Sequence, residues 1–569
     1  MNNHKTSTVI SQPYTLAYTV ILLIAVGLRF ALLGSHPLND HEAKLALQAL
    51  ALGRGQDVLL AGEPGYLALT TANFFVFGAS NFMARAWPAL IGSLAVLLPL
   101  LLRPRLGRKT SLLLAFFIAM DPILIGTSRT ADGSALAMVG LIGGIGFLIM
   151  KKPVLSGICL GAALTGGPQI WIGVLMLALF VAIGRQTLSR LSILSTGGWT
   201  KREWMTTAIT TAVTLIVIST LLFTNPAGIS AVGSSLADFF ASLGEIGGAQ
   251  LPAMGAAWLW MELPVFVLAM WALVDGLLRK DEVTRLLGLW WGLALVLALV
   301  TSMNGVDHFY WLALPMLGLA AKQTGALFRQ RSIENRLVFI SELVLVVALT
   351  VFSIMNLMAL VNNVYLTAEE TRNRIIGTLL PIILLIVLTI LLSWGWSTSS
   401  ARKGFIAGML VLFTLMGLSN SWKAAGLGSR TQYELGIYEG YPIGQAPLMA
   451  TITDISRWNT GYEKRIDILL TGVDIPSLEW ALRDFERLSK ESGYNPNLSP
   501  SLILTGIDQN ISSSASYRGQ KFLWTVKPDL AVMRFKDWIK WAFFRTAPAE
   551  QTELILWARN DLFPGNATP

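Results

Sequence analysis

Asp40, His41 and Glu42 stand consecutively in HPLNDHEAKLALQALALGRG (36–55), between a first apolar segment and an Ala/Leu-rich helical run. Carboxylates just ahead of such a run lie at a helix N-terminus, where the helix dipole and free backbone N–H groups favour negative charge. A carboxylate held there stays ionised, so it can accept a proton from a hydroxyl or take part in binding a hard cation. The same residues also fit a purely structural pattern, because Asn39 with Glu42 three positions later makes a capping box that needs no chemistry. A second polar stretch, SRTADGS (128–134), sets Arg129 beside Asp132. That pair offers a cation for an anionic leaving group and another carboxylate, with headgroup snorkelling and helix capping as the plainer alternatives. Arg29, near the end of the first apolar segment, is a further cation, and His308 precedes the aromatic run Phe309, Tyr310, Trp311. A histidine beside aromatics is also common at a membrane interface.

The elements that must position these residues are membrane helices. Of 569 residues, 53% are hydrophobic and only 14% charged, with 19 Trp, which excludes an ordinary soluble globular protein. The first apolar run, 14–33, is about 20 residues, enough to cross a hydrocarbon core. It lacks a small-residue cleavage site after it and reads as a retained anchor. The single cysteine, Cys159, excludes an intrachain disulfide and a cysteine-based metal site. About thirteen spans are predicted, at 14–33, 86–102, 110–126, 134–150, 153–167, 169–184, 204–224, 257–278, 286–303, 309–321, 337–361, 376–394 and 404–420. GGPQ (166–169) between the fifth and sixth leaves little room to turn and also fits a broken helix or re-entrant pair.

With the N-terminus inside, Lys and Arg concentrate in the even-numbered turns, for instance Arg103, Arg105, Arg108 and Lys109, then Lys151 and Lys152. This bias predicts an N-inside, C-outside topology and accounts for the formal charge of +9 without a nucleic-acid surface. It places the 34–85 loop, the loop with Arg129 and Asp132, and Asp307–His308 on one outer side. The segment 225–256 has no Lys or Arg, contains Asp238 and Glu245, and reads as an outer loop or short amphipathic helix over the site. The membrane part is taken as 1–422. After it, 423–569 reads as a small extracytoplasmic α/β domain: strands at RIDILLTG (465–472), SLILTG (501–506) and KFLWTV (521–526), helices at PSLEWALRDFERLSK (476–490) and WIKWAFFR (538–545). It holds no phosphate loop, Ser/His/Asp array or metal-spaced His cluster, so it reads as an accessory binding or shielding unit. The sequons at Asn510 and Asn566 are short chance-level matches.

The order of features in 14–150 resembles a known family. After the acidic loop come GEPGYLALTTANFFVFGASNFMARAWPALIGSLAVLLPLLLRPRLG and AMDPILIGTSRTADGSALAM. This is similar to the integral-membrane GT-C glycosyltransferases of family 39, relatives of protein O-mannosyltransferases and aminoarabinose transferases, and most like their bacterial and archaeal flippase-associated branch. PSLEWALRDF in the tail resembles that branch too. The family's adjacent Asp-Glu pair is here split as Asp-His-Glu, and Asp40 is matched to its aspartate. The resemblance implies transfer of a sugar, with inversion, from a polyprenyl-phosphate donor to an acceptor hydroxyl of a protein, lipid or glycan, at the outer face of the plasma membrane. It implies Asp40 as general base with Glu42 in the catalytic group, and Arg129, Arg29, Asp132 and His308 as substrate-binding residues. Asp40, Glu42 and Asp132 would be the set for a divalent cation, magnesium or manganese. Two rival classes are a lipid or polysaccharide flippase component and a non-catalytic scaffold. Transport predicts ionisable groups at mid-membrane depth, whereas most here lie near span ends.

Overall fold

The computed structural model describes residues 12–56, 58, 60, 62–190, 200–242, 251–300, 309–328, 333–363, 365–428, 440, 442–495, 498–509 and 515–563. The predicted site residue His308, with Asp307, Glu245 and both sequons, lies outside the described residues.

The first half builds α1 (Gln12–Phe30), α2 (Asp40–Gly53), α3 (Pro64–Phe77), α4 (Asn81–Leu94), α5 (Leu98–Leu106), α6 (Arg108–Met120), α7 (Pro122–Thr127), α8 (Ser134–Ile149), α9 (Pro153–Leu164) and α10 (Gln169–Arg190). Local chemistry sets their ends. Asn39 and Glu42 form the capping box that starts α2. Proline opens α3 and α9 at a position where its missing N–H costs nothing. The predicted span 110–126 is broken because Asp121 precedes Pro122, leaves the helical region and caps α7 through the Leu124 N–H. The glycines of α8 let helices approach closely: a Cβ on Gly140 would lie 2.8 Å from the Cys159 carbonyl oxygen on α9.

Within the described residues each predicted span falls mostly on helix, and 301–303 lie outside them. Seven of the described helices are long and apolar enough to cross a membrane, or eight counting a pair bent by 84° between Ala253–Met261 and Leu263–Leu278. Among the described residues, the remaining predicted spans are shorter, broken or more polar helices. Asp121 and Glu262, both buried, mark the two helix breaks. GGPQ holds a tight turn between α9 and α10, with Gly167 at φ +98.

The tail contains a five-stranded mixed sheet of order β2-β1-β3-β5-β4. Its strands are β1 (Asp467–Thr471), β2 (Arg487–Glu491), β3 (Leu502–Gly506), β4 (Tyr517–Pro528) and β5 (Ala549–Arg559). β1 pairs in parallel with β2 and β3, and β5 runs antiparallel to β3 and β4. Ile468, Leu470, Leu502, Leu504, Leu554 and Leu556 form its apolar face, covered by Gln445–Thr460 and Pro476–Leu482. The helix predicted for 476–490 ends at Leu482, and Arg487–Glu491 instead forms the edge strand. Its charged, half-exposed side chains match an amphipathic helix as well as an edge strand, and pairing of Asp467 with Arg487 through Thr471 with Glu491 decides for the strand. Helix Phe535–Phe544 coincides with the predicted 538–545, but it packs on the membrane bundle. Trp541 is buried there, Phe543 meets Trp260 edge-on at 5.5 Å, and Arg545 donates to Asn420 Oδ1 at 3.4 Å.

Candidate active site

Glu42 organises the loop after α1. Arg85 of α4 donates Nε to Glu42 Oε1 (2.8 Å) and Nη2 to Oε2 (2.6 Å), a buried bidentate pair. The Asn39 N–H donates to Oε2 at 3.1 Å and the Ala131 N–H to Oε1 at 2.9 Å. Arg85 also donates to the carbonyls of Leu33, His36 and Pro37. Burial alone would raise the Glu42 carboxyl, but the Arg85 charge and these hydrogen bonds outweigh it and hold it below the usual carboxylate range. One side chain therefore joins the first loop, α4 and the 128–133 loop. Both its oxygens are committed, so its geometry is that of a positioning residue, the role already visible in the capping box.

Asp40, the first residue of α2, is half-buried, and its Oδ1 accepts from the Ser477 N–H of the tail at 3.0 Å. The Pro476–Leu482 helix that supplies this N–H is anchored on the membrane part. Trp480 donates to Asn81 Oδ1 at 2.8 Å and stacks on Phe74 of α3 at 5.7 Å, and Arg483 donates to the Ala79 carbonyl at 3.3 Å. Within the tail, Trp524 donates to Ser477 Oγ at 3.1 Å. Trp480→Ala removes the stack and the indole donor from a fully buried position. An expected cost of about 3–5 kcal/mol follows for truncating a buried Trp, read as earlier proteolytic release of the tail and a lower unfolding midpoint in lipid nanodiscs.

A second group lies against α2. His41, with its side chain 46% exposed, has Nε2 at 3.7 Å from Oε1 of Glu63, whose side chain is 10% exposed. Glu63 Oε2 accepts from the Gly133 N–H at 2.8 Å, and Asp132 Oδ1 accepts from the Ser134 N–H at 2.9 Å. The GGPQ turn backs this group: a Cβ on Gly167 would lie 2.7 Å from Glu63 Cγ, and one on Gly133 2.5 Å from the Gly166 carbonyl oxygen. Helix Gly228–Ser242, within the predicted covering segment, packs its Ser235 on Gly62; Asp238 of the same helix is exposed. Burial, then the neighbouring Glu63 charge, pushes the Asp132 carboxyl up to about 6, with His41 opposing. The folded protein thus binds a proton at Asp132 more tightly than the unfolded chain, whose Asp titrates near 3.8. This contribution is most favourable below that value and is lost as pH rises towards 6. Asp132→Asn cannot lose a proton, so its unfolding midpoint minus that of the parent should grow from pH 4 to pH 6.5; a pH-independent difference would contradict the assignment.

The predicted phosphate-binding arginines are occupied with backbone. Arg129 Nη1 donates to the carbonyls of Leu28, Arg29 and Ala31 at 3.1, 2.9 and 2.9 Å, satisfying the C-terminal end of α1. Arg29 is fully buried and donates to Ser128 Oγ and to the carbonyls of Ala25, Ala119 and Ile118. It braces the site from below. The residues proposed for a divalent cation do not fit one as a set, because Glu42 is saturated by Arg85 and backbone donors, and among the described residues no group of three His, Cys, Asp or Glu could hold a metal ion. Sequence reasoning missed Glu63 and His41 as partners. Glu63 carries the same signal as Asp40, a carboxylate directly before an apolar helix.

No family model and no curated protein matches the chain significantly by sequence. Among solved structures, it is similar to ArnT from Cupriavidus metallidurans bound to undecaprenyl phosphate, at 13% identity and TM-score 0.51, over 98% of this chain and 98% of that one. It is likewise similar to the apo state of the same protein, at 13% identity and TM-score 0.52, over 95% of this chain and 98% of that one. The likeness runs through the helical bundle and the terminal sheet together, so from end to end the chain has the fold of ArnT.

Proposed function

We propose that the protein is a glycosyltransferase that moves a sugar from a polyprenyl-phosphate carrier to an acceptor hydroxyl at the outer face of the membrane, with inversion at the sugar carbon. The observation that carries this reading is the convergence of three separate segments on one acidic site. The first loop brings Asp40 and His41, the 128–133 loop brings Asp132, and the tail brings the Ser477 N–H, all within an ArnT-like fold. The ArnT structure that holds undecaprenyl phosphate supports a polyprenyl-linked donor for this chain too.

In this mechanism the acceptor oxygen attacks the anomeric carbon while the bond from that carbon to the phosphate oxygen breaks, and the carrier leaves as its phosphate. Asp40 takes the hydroxyl proton. General-base assistance of this kind contributes roughly 10²–10⁴-fold. The Ser477 N–H, donating to Oδ1, orients the carboxylate. Asp132 and Glu63 hold the acceptor, and His41, the most exposed of the group, donates to the leaving phosphate together with His308. Glu42 and Arg85 keep the two loops in register. The Lys- and Arg-rich turns at the far ends of the same helices support placing this site outside.

The test is transfer by the purified full chain in lipid, offered a panel of polyprenyl-phosphate sugars and hydroxyl acceptors. One donor should be consumed with release of carrier phosphate and inversion in the product. Tight binding of the carrier lipid with no transfer from any donor would contradict the proposal in favour of a flippase component or scaffold.

A further inference from the structure

A cavity of about 480 Å³ lies between α5, α8, α10 and the helices Glu282–Val300 and Phe309–Leu327. It sits away from the acidic site. α8 begins beside Asp132 and runs about 24 Å at 1.5 Å per residue, and the cavity follows it from Leu141 down to Ile149. At the upper end Trp311 lines it: the ring lies over Gly173, where a Cβ would be 2.3 Å from it, and Nε1 donates to the Gln169 carbonyl at 3.3 Å. The wall is otherwise apolar, including Ile145, Met176, Leu177 and Leu287, and among the described residues lining it Arg105 alone is charged. Arg105 stands at the lower end, in the last turn of α5 with Arg103, just before Arg108 and Lys109 at the start of α6, and Lys151 and Lys152 follow the last lining residue of α8.

An apolar space of this size within a bilayer does not hold water well, and it falls in the range of small-ligand sites. Among the described residues lining it, the one charge is positive and at one end. We infer that this cavity binds one acyl chain of an anionic phospholipid whose phosphate lies at Arg105, in the leaflet opposite the acidic site. A polyprenyl phosphate entering from the acidic end would leave its phosphate far from Arg105, so the donor's chain is the poorer occupant. The site is independent of the sugar-transfer reading.

The experiment is native mass spectrometry of the delipidated full chain titrated with dioleoyl phosphatidylglycerol and dioleoyl phosphatidylcholine, which share their chains. One phosphatidylglycerol should bind tightly. Arg105→Gln should weaken it about fivefold, the usual worth of one basic residue near an anionic lipid surface, and leave the weaker phosphatidylcholine binding unchanged. Leu177→Trp should fill the cavity and remove the tight site. Equal binding of the two lipids, or undiminished phosphatidylglycerol binding by Leu177→Trp with an unaltered lipid-free unfolding midpoint, would overturn the proposal. So would undecaprenyl phosphate displacing the lipid equally well from the parent and from Arg105→Gln. Should Leu177→Trp not fold, the Arg105→Gln comparison decides alone.

Discussion

Glu42→Ala should lower the stability of the folded protein by about 3–5 kcal/mol, because it strands the Arg85 guanidinium in a buried site without its counter-ion. The structural reason is the number of groups that meet at this carboxylate: two nitrogens of Arg85, the Asn39 N–H and the Ala131 N–H. Each buried donor left unpaired adds its own desolvation cost. A coupled double substitution, Glu42→Leu with Arg85→Met, should lose less than the sum of the two single changes, since neither ion is then buried alone. Unfolding in lipid nanodiscs at pH 7 reads both effects. A Glu42→Ala protein with an unchanged midpoint and no transfer activity would reverse the assignment and make Glu42 a chemical participant.

This outcome bears on what the chain reveals before its fold is known. Asn39 and Glu42 satisfy a local rule three residues apart, so the capping box is legible in the sequence, and the structure contains it. The partner that makes Glu42 a clamp, Arg85, lies 43 positions away in a motif whose arginine has no local rule to assign it. The Ser477 N–H reaches Asp40 across 437 positions, and no periodicity can anticipate such a contact. The resemblance implies Arg29 and Arg129 as cations that neutralise the donor's phosphate. Here the carbonyls at the end of α1 and beneath the loop capture them first, which depends on the packing of α1 against α6 and α7. The apolar spans were plain from composition. The shorter helices and the breaks at Asp121 and Glu262 were less so, because a run of apolar residues continues across a bend without changing character.

The second large effect is expected at Asp40. It is the first residue of α2, at the positive end of the helix, half-buried and fixed by the tail. Asp40→Asn preserves shape and the acceptor oxygen for Ser477, and it removes the negative charge and the basicity. Its fold should therefore persist, with an unfolding midpoint close to the parent's, while sugar transfer falls by roughly 10²–10⁴-fold, the range for loss of a general base. The loss should appear in turnover more than in donor affinity, because the carboxylate acts on the proton that moves in the transition state. Trp480→Ala is the complementary case, since it disturbs the tail that orients Asp40 and lowers stability with activity.

The most direct measurement is single-turnover transfer from a polyprenyl-phosphate sugar by the parent protein and by folded Asp40→Asn in the same lipid. Turnover by the parent and its loss in Asp40→Asn, with carrier binding retained, is the predicted result. Equal turnover by the two proteins would contradict the assignment of Asp40 as the base on which the account rests.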